Sequence, residues 1–261
     1  MTVATAPTDA ADGRALLTYV LRLADTSLVL GQRLGEWIGH APALEEDLGL
    51  ANTSLDLIGQ ARLLLTYAGE LDGRNRSEDD LAFLRDEHEF CNMSLVEQPN
   101  DDFGQTIVRQ FLVDAWQREL YEALATSTDT RLSQIAAKAL KETLYHVRYS
   151  GSWLVRLGDG TAESHARVQA ALDALWIYTA ELFDPDAVDA AVVACGIGPD
   201  LAALRPKWLA RVDAVLAEAT LQRPRDVRSI RYGKRGEHGE AFGHMLAEMQ
   251  SLHRAHPGAT W

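Results

Sequence analysis

The chain has 261 residues, 47% of them hydrophobic, and carries 38 acidic against 25 basic side chains for a formal net charge of −13. That length supports one large domain or two small ones. An acidic surface of this size repels nucleic-acid phosphates and anionic lipid, which argues against both as general partners.

The N-terminal segment MTVATAPTDAADG lacks early positive charge and an apolar stretch, so residues 1–13 read as a frayed tail and not as a secretory signal. Residues 14–261 are expected to form one helical domain. From 14 to 39 apolar residues recur every three or four places (Leu16, Val20, Leu23, Leu30, Leu34, Trp37), and Gly39 with Pro42 supplies a stop. A second helix is expected over about 43–68, with Glu45, Glu46 and Asp47 at the positive end of its dipole. The polar stretch GELDGRNRSEDD connects it to a shorter helix capped by Ser77. Two long amphipathic segments follow, 103–127 and 131–158, joined by a short turn that makes them antiparallel neighbours. Further helices are expected at 164–183, stopped by Pro185, then at 186–195, 201–218 and from 241 to the last turn. Residues 222–240 read as a long irregular loop.

No apolar run approaches the roughly 20 residues that span a bilayer. Only Cys91 and Cys195 occur, outside any CxxC pair, and both are expected as small buried thiols in a reducing cytoplasm. Two long helices, a connection and two more long helices give an all-α, ferritin-like four-helix bundle with additional C-terminal helices.

A di-iron carboxylate site in that fold takes one glutamate from each of two helices and a Glu-x-x-His pair from each of the other two. The acids that match the layout are Asp25, Asp56, Asp114 and Glu142. Three residues beyond Asp56 and Glu142 stand Gly59 and Tyr145 instead of histidine; His146 follows Glu142 at four, with Thr143 three before it. The expectation is a bundle that has lost its metal ligands, its acids settled by nearby cations such as Arg22, Arg62, Lys138 and Arg148. The rival reading is a self-sufficient oxidase with an atypical site on Asp25, Asp56, Asp114, Glu142 and His146. A third is a stand-alone homodimer that binds a ligand without chemistry.

The strings LVLGQRLGEWIGHAPALEEDLGLANTSLDLIGQAR (28–62), LAFLRDEHEF (81–90), LVEQPNDDFGQTIVRQFLVDAW (95–116), KALKETLYHVRYSGSWLVRLGDGT (138–161), ALWIYTAELFD (174–184) and GHMLAEMQSLHRAHPGATW (243–261) resemble the family of structural subunits of the bacterial phenylacetyl-CoA epoxidases. The resemblance implies a ferritin-like, non-catalytic structural component with no cofactor of its own. It implies a related catalytic subunit that holds the di-iron centre and epoxidises the aromatic ring of phenylacetyl-CoA in aerobic phenylacetate breakdown. It also implies a further small subunit and a reductase carrying flavin and iron–sulfur and drawing on NADPH. Trp37, Trp116 and Trp153 are candidate anchors for the catalytic partner, with core packing as their alternative role.

One further feature stands out on so acidic a chain. RSIRYGKRGEHGE gathers Arg228, Arg231, Lys234 and Arg235 among glycines, a candidate contact for CoA phosphates or an acidic partner, with a solvated loop as the alternative. The scattered His40, His88, His238, His244, His253 and His256 show no zinc spacing and are expected as ordinary core or surface residues. No nucleophile elbow, Walker loop or dinucleotide fingerprint occurs.

Overall fold

The computed structural model describes residues 10–259, and every regular element among them is helical. Most of the expected N-terminal tail lies outside the described residues. Helix α1 (Ala10–Gly35) starts at Ala10 and pairs with α2 (Leu44–Asp72). Its three- and four-residue apolar spacing fills the core: Leu16, Val20, Leu23, Leu30 and Leu34 are all buried. Turns follow Gly35, and Gly39 adopts the left-handed conformation that the expected stop requires.

The sequence places the end of α2 near Ala68, but the helix runs through Gly69 to Asp72 and is closed by left-handed Gly73. Gly69 is there for a close approach. The returning chain lays the Arg76 carbonyl where a Cβ would stand, so the missing side chain serves packing and not a turn. Ser77 then caps the short α3 (Glu78–Phe83), accepting from the Asp80 amide at 3.1 Å while its own amide donates to the Asp80 carboxylate at 2.8 Å.

An irregular crossing leads to α4 (Phe103–Leu124), capped by Asp102 on the Gln105 amide. Helix α5 (Thr130–Gly158) returns against it, capped by Asp129 on the Leu132 amide. Helices α1, α2, α4 and α5 form the bundle. Helix α6 (Ala162–Leu175) covers α4 and α5 but does not extend to 183 as its periodicity suggests. Residues Trp176–Phe183 tighten into a 3-10 stretch, in which the Thr179 hydroxyl donates to the Trp176 carbonyl and Trp176 and Phe183 both press on Trp208. Helices α7 (Ala187–Ala194), α8 (Leu201–Glu218) and α9 (Glu240–Ala255) complete the wrap.

Of the three tryptophans expected as possible anchors, Trp116 is in the core and Trp37 and Trp153 are partly buried against it. Trp37 donates to the Thr106 hydroxyl at 2.8 Å, and Phe103 receives Trp37 and Trp153 edge-on. The expectation of two buried thiols is corrected by Cys195, which closes α7 at the surface and is exposed; Cys91 is partly covered.

Candidate functional site

The four acids that the sequence aims inward do not meet. Asp25 of α1 is fully buried and held by Arg85, just beyond α3, through both ends of its guanidinium; the Cys91 amide adds a third bond at 2.9 Å. Asp114 of α4 is equally buried, accepting from the Gln110 amide at 2.6 Å and the Ser150 hydroxyl at 2.7 Å. Burial pushes the Asp114 carboxyl up to about 6, against the opposing pull of His146, Ser150 and Gln110.

Asp56 and Glu142 form a crossed pair. Asp56 Oδ2 lies 3.0 Å from His146 Nε2, while Gln60 Nε2 donates to Glu142 Oε2 at 3.0 Å. Each acid thus engages the residue four places beyond its counterpart on the opposite helix. Gln60 also accepts from the Tyr121 hydroxyl at 3.2 Å, which lies 3.3 Å from Ser27 Oγ. Of the expected cations only Lys138 joins these acids, 3.7 Å from Glu142. Arg22 pairs instead with Asp186 and Asp189, Arg62 with Glu78, and Arg148 lies over the Tyr145 ring.

Burial also corrects the register read from the sequence. A Cβ at Gly59 would meet open space and Tyr145 is 45% exposed, so neither position points into the bundle. The inward pairs at three-residue spacing are Leu57 with Gln60 on α2, and Thr143 with His146 on α5. The imidazole is therefore retained on α5. The carboxylates that should precede the donors are what is missing: a leucine stands at one position and a threonine at the other.

This arrangement does not fit a di-metal centre of the ferritin-like kind. Leu57 offers no donor atom, Thr143 only a neutral hydroxyl, and Asp25 is already neutralised by Arg85. Among the described residues no three His, Cys, Asp or Glu side chains converge as metal ligands. Three buried atoms of this interior, His146 Nδ1, Thr143 Oγ1 and Gln110 Oε1, have no hydrogen-bond partner among the described residues.

The model of the phenylacetic acid catabolic protein family matches residues 1–261. The chain is a member of that family. It is 53% identical over 246 residues, 94% of this chain and 99% of the relative, to the C subunit of the 1,2-phenylacetyl-CoA epoxidase of Escherichia coli (strain K12).

In this member of the phenylacetic acid catabolic protein family the basic loop is not the open cationic nest that its composition implies. Lys234 is 1% exposed, its ammonium 3.0 Å from Asp189 and bonded to the Asp184 carbonyl, so it has no charge to offer an external anion. Its backbone amide donates to Glu181 at 2.9 Å, and Glu181 also binds the Ser94 amide and hydroxyl. Arg231 lies against Gly239, and Arg235 covers the Tyr232 ring with Asp186 3.8 Å away. Arg235 is nevertheless exposed, and Arg228 stands exposed at the rim of a pocket of about 390 Å³ walled by Trp176, Phe183 and Tyr232. Farther along, His238 is enclosed: Nε2 donates to the Phe90 carbonyl at 3.0 Å and Nδ1 lies 2.9 Å from Glu97. Burial opposes its charge, but the Glu97 carboxylate prevails and raises its pKa.

Several residues of this interior give no warning in the sequence. Arg85, Ser150 and Tyr121 reach their partners across 36 to 61 positions. The Gln110–Asp114 pair is the exception, because its four-residue spacing is legible on a helix.

Proposed function

We propose that this chain is a non-catalytic structural subunit of a multicomponent phenylacetyl-CoA epoxidase, paired with a related di-iron catalytic subunit in aerobic phenylacetate breakdown. The observation that carries the reading is the inward stripe of α2 and α5, where Leu57 and Thr143 occupy the places of two ligand carboxylates. A bundle so altered retains the shape of a metal-binding sibling and can pack against one by pseudo-symmetry. The likeness to the Escherichia coli epoxidase component supports the same assignment.

A second feature supports a permanent partner. Leu44, Leu48 and Leu55 lie exposed along α2, Leu44 at 70% and Leu55 at 65%, and Leu144 and Tyr145 are exposed on α5. In this reading the small subunit and the reductase join through the complex, and flavin, iron–sulfur and NADPH belong to the reductase. The site of action in this reading is the cytoplasm. Among the described residues no helix is long and apolar enough to cross a membrane.

Co-expression with the catalytic subunit tests the proposal. The two chains are expected to co-purify, with iron following the catalytic subunit and its turnover depending on this chain. Two irons per molecule in this chain alone, or epoxidation by it alone, would reverse the assignment.

A further inference from the structure

Two arginines of α5, Arg148 and Arg156, stand exposed away from the basic loop without an ion-pair partner among the described residues. Residues Val147 to Arg156 repeat with a period of four in two adjacent rows. Arg148, Ser152 and Arg156 form an exposed polar row; Val147, Gly151 and Val155 form the row beside it. Helix α8 closes the other side with Arg211 and Val215, leaving a groove of about 460 Å³. Gly151 sets its floor, because the Phe111 ring lies 3.4 Å from where a Cβ would stand.

The charges in this groove are not balanced within the described residues. Arg211 is committed to Glu119 at 2.9 Å. Arg148 and Arg156 have no carboxylate partner there; their guanidiniums lie over Tyr145 at 5.6 Å and Trp153 at 5.2 Å. Glu218 at the groove's end is the one acid in its lining, and it stands against two free guanidiniums. On a chain of net charge −13 such a local excess of positive charge is an anion site in electrostatic terms.

We infer that this α5/α8 groove binds a coenzyme A thioester, with its phosphates on the Arg148–Arg156 row and its uncharged arm along the valine row. Three features favour that ligand over an acidic polypeptide. Guanidinium forks match phosphate oxygens in geometry and charge. The two arginines are eight residues apart, about 12 Å along the helix, so a single small anion does not engage both, whereas a ligand with several phosphates does. The volume falls in the range of small-molecule pockets, about 300–1,000 Å³, while a stable protein contact needs about 800 Å² from each partner. This inference rests on the epoxidase reading for the choice of thioester, but it concerns a surface of the isolated chain and is tested there.

Calorimetric titration of the full chain with phenylacetyl-CoA, coenzyme A, ADP, inorganic phosphate and an oligoglutamate peptide provides the test. Phenylacetyl-CoA and coenzyme A are expected to bind more tightly than ADP, and ADP more tightly than phosphate, with affinity falling as salt rises. Arg148→Ala with Arg156→Ala should weaken coenzyme A binding by about tenfold or more. A charge-matched control, Arg74→Ala with Arg131→Ala, should leave it unchanged, and unchanged melting temperatures would establish that both variants fold. Equal loss in the control, no loss in the groove variant, ADP binding as tightly as coenzyme A, or tighter binding of the peptide would each overturn the assignment. Failure to co-purify with the catalytic subunit would sink the epoxidase reading and leave this titration standing.

Discussion

Asp25 and Asp114 are buried to the same degree yet neutralised by different means, and they should respond to mutation in opposite ways. Asp25 has a full countercharge in Arg85. Arg85→Ala leaves that carboxylate buried and unpaired, with an expected loss of about 3–5 kcal/mol in urea denaturation. The double variant Asp25→Asn with Arg85→Met should recover most of it. Asp114 accepts only from neutral donors, and its carboxyl is held up to about 6 from an ordinary value of 3.8. A folded-state pKa above the unfolded one means that this group's contribution to stability is fully present below about pH 4 and is lost as pH rises through 6. Asp114→Asn should therefore raise stability at pH 8 by up to about 3 kcal/mol, the equivalent of a roughly hundredfold change in proton affinity, and the gain should vanish near pH 4. A variant less stable than the parent at pH 8 would show that ionised Asp114 has a counterion instead. His238 acts in a higher window. Its raised pKa makes the Glu97 pairing fully effective below about 6.5 and lost as pH rises beyond it. His238→Gln should flatten that upper limb of the stability profile and leave the Asp114 limb intact.

At the scale of elements, the long helices were legible because each buries one stripe against its neighbours. Expected and observed bounds nearly coincide for α5 and α8. What escaped was decided by contacts across the fold. Gly69 reads as a breaker until Arg76 is seen above it, and Trp176 continues a helical period until Trp208 draws the chain into a tighter turn. The candidate site failed by one residue of register. Spacing places Gly59 and Tyr145 at the donor positions, but on a real helix the inward face is set by which neighbours it meets, and those face Gln60 and His146. The basic loop misled for a related reason: composition gives charge but not direction. Lys234 turns inward as a pin between α7 and the 3-10 stretch after α6. Lys234→Met should cost about 3 kcal/mol and free the loop, so that trypsin cuts after Arg228 or Arg231 well before the chain unfolds globally. Undiminished protease resistance would mean that the loop is held elsewhere.

At the scale of the molecule, net charge and exposed apolar surface pull in opposite directions. A net charge of −13 opposes association between copies of the chain, but that repulsion is screened over about 8–10 Å at ordinary salt, whereas attraction between apolar faces acts at contact. A chain with Leu44, Leu48 and Leu55 exposed in a row along α2 gains most from a partner that covers that row. The crossed Asp56–His146 and Glu142–Gln60 pairs join α2 to α5 and hold the helix that carries this row. Rigidity of this kind lowers the ordering cost of association. Leu48→Glu with Leu55→Glu should then abolish co-purification with the catalytic subunit while the melting temperature of the isolated chain changes little, because both side chains already stand in water. His146→Ala tests the supporting seam separately. It should lower stability and weaken association together, whereas the surface pair should affect association alone. If the leucine variant still assembles at the parent's affinity, the partner binds another face and the apolar stripe of α2 serves some other contact.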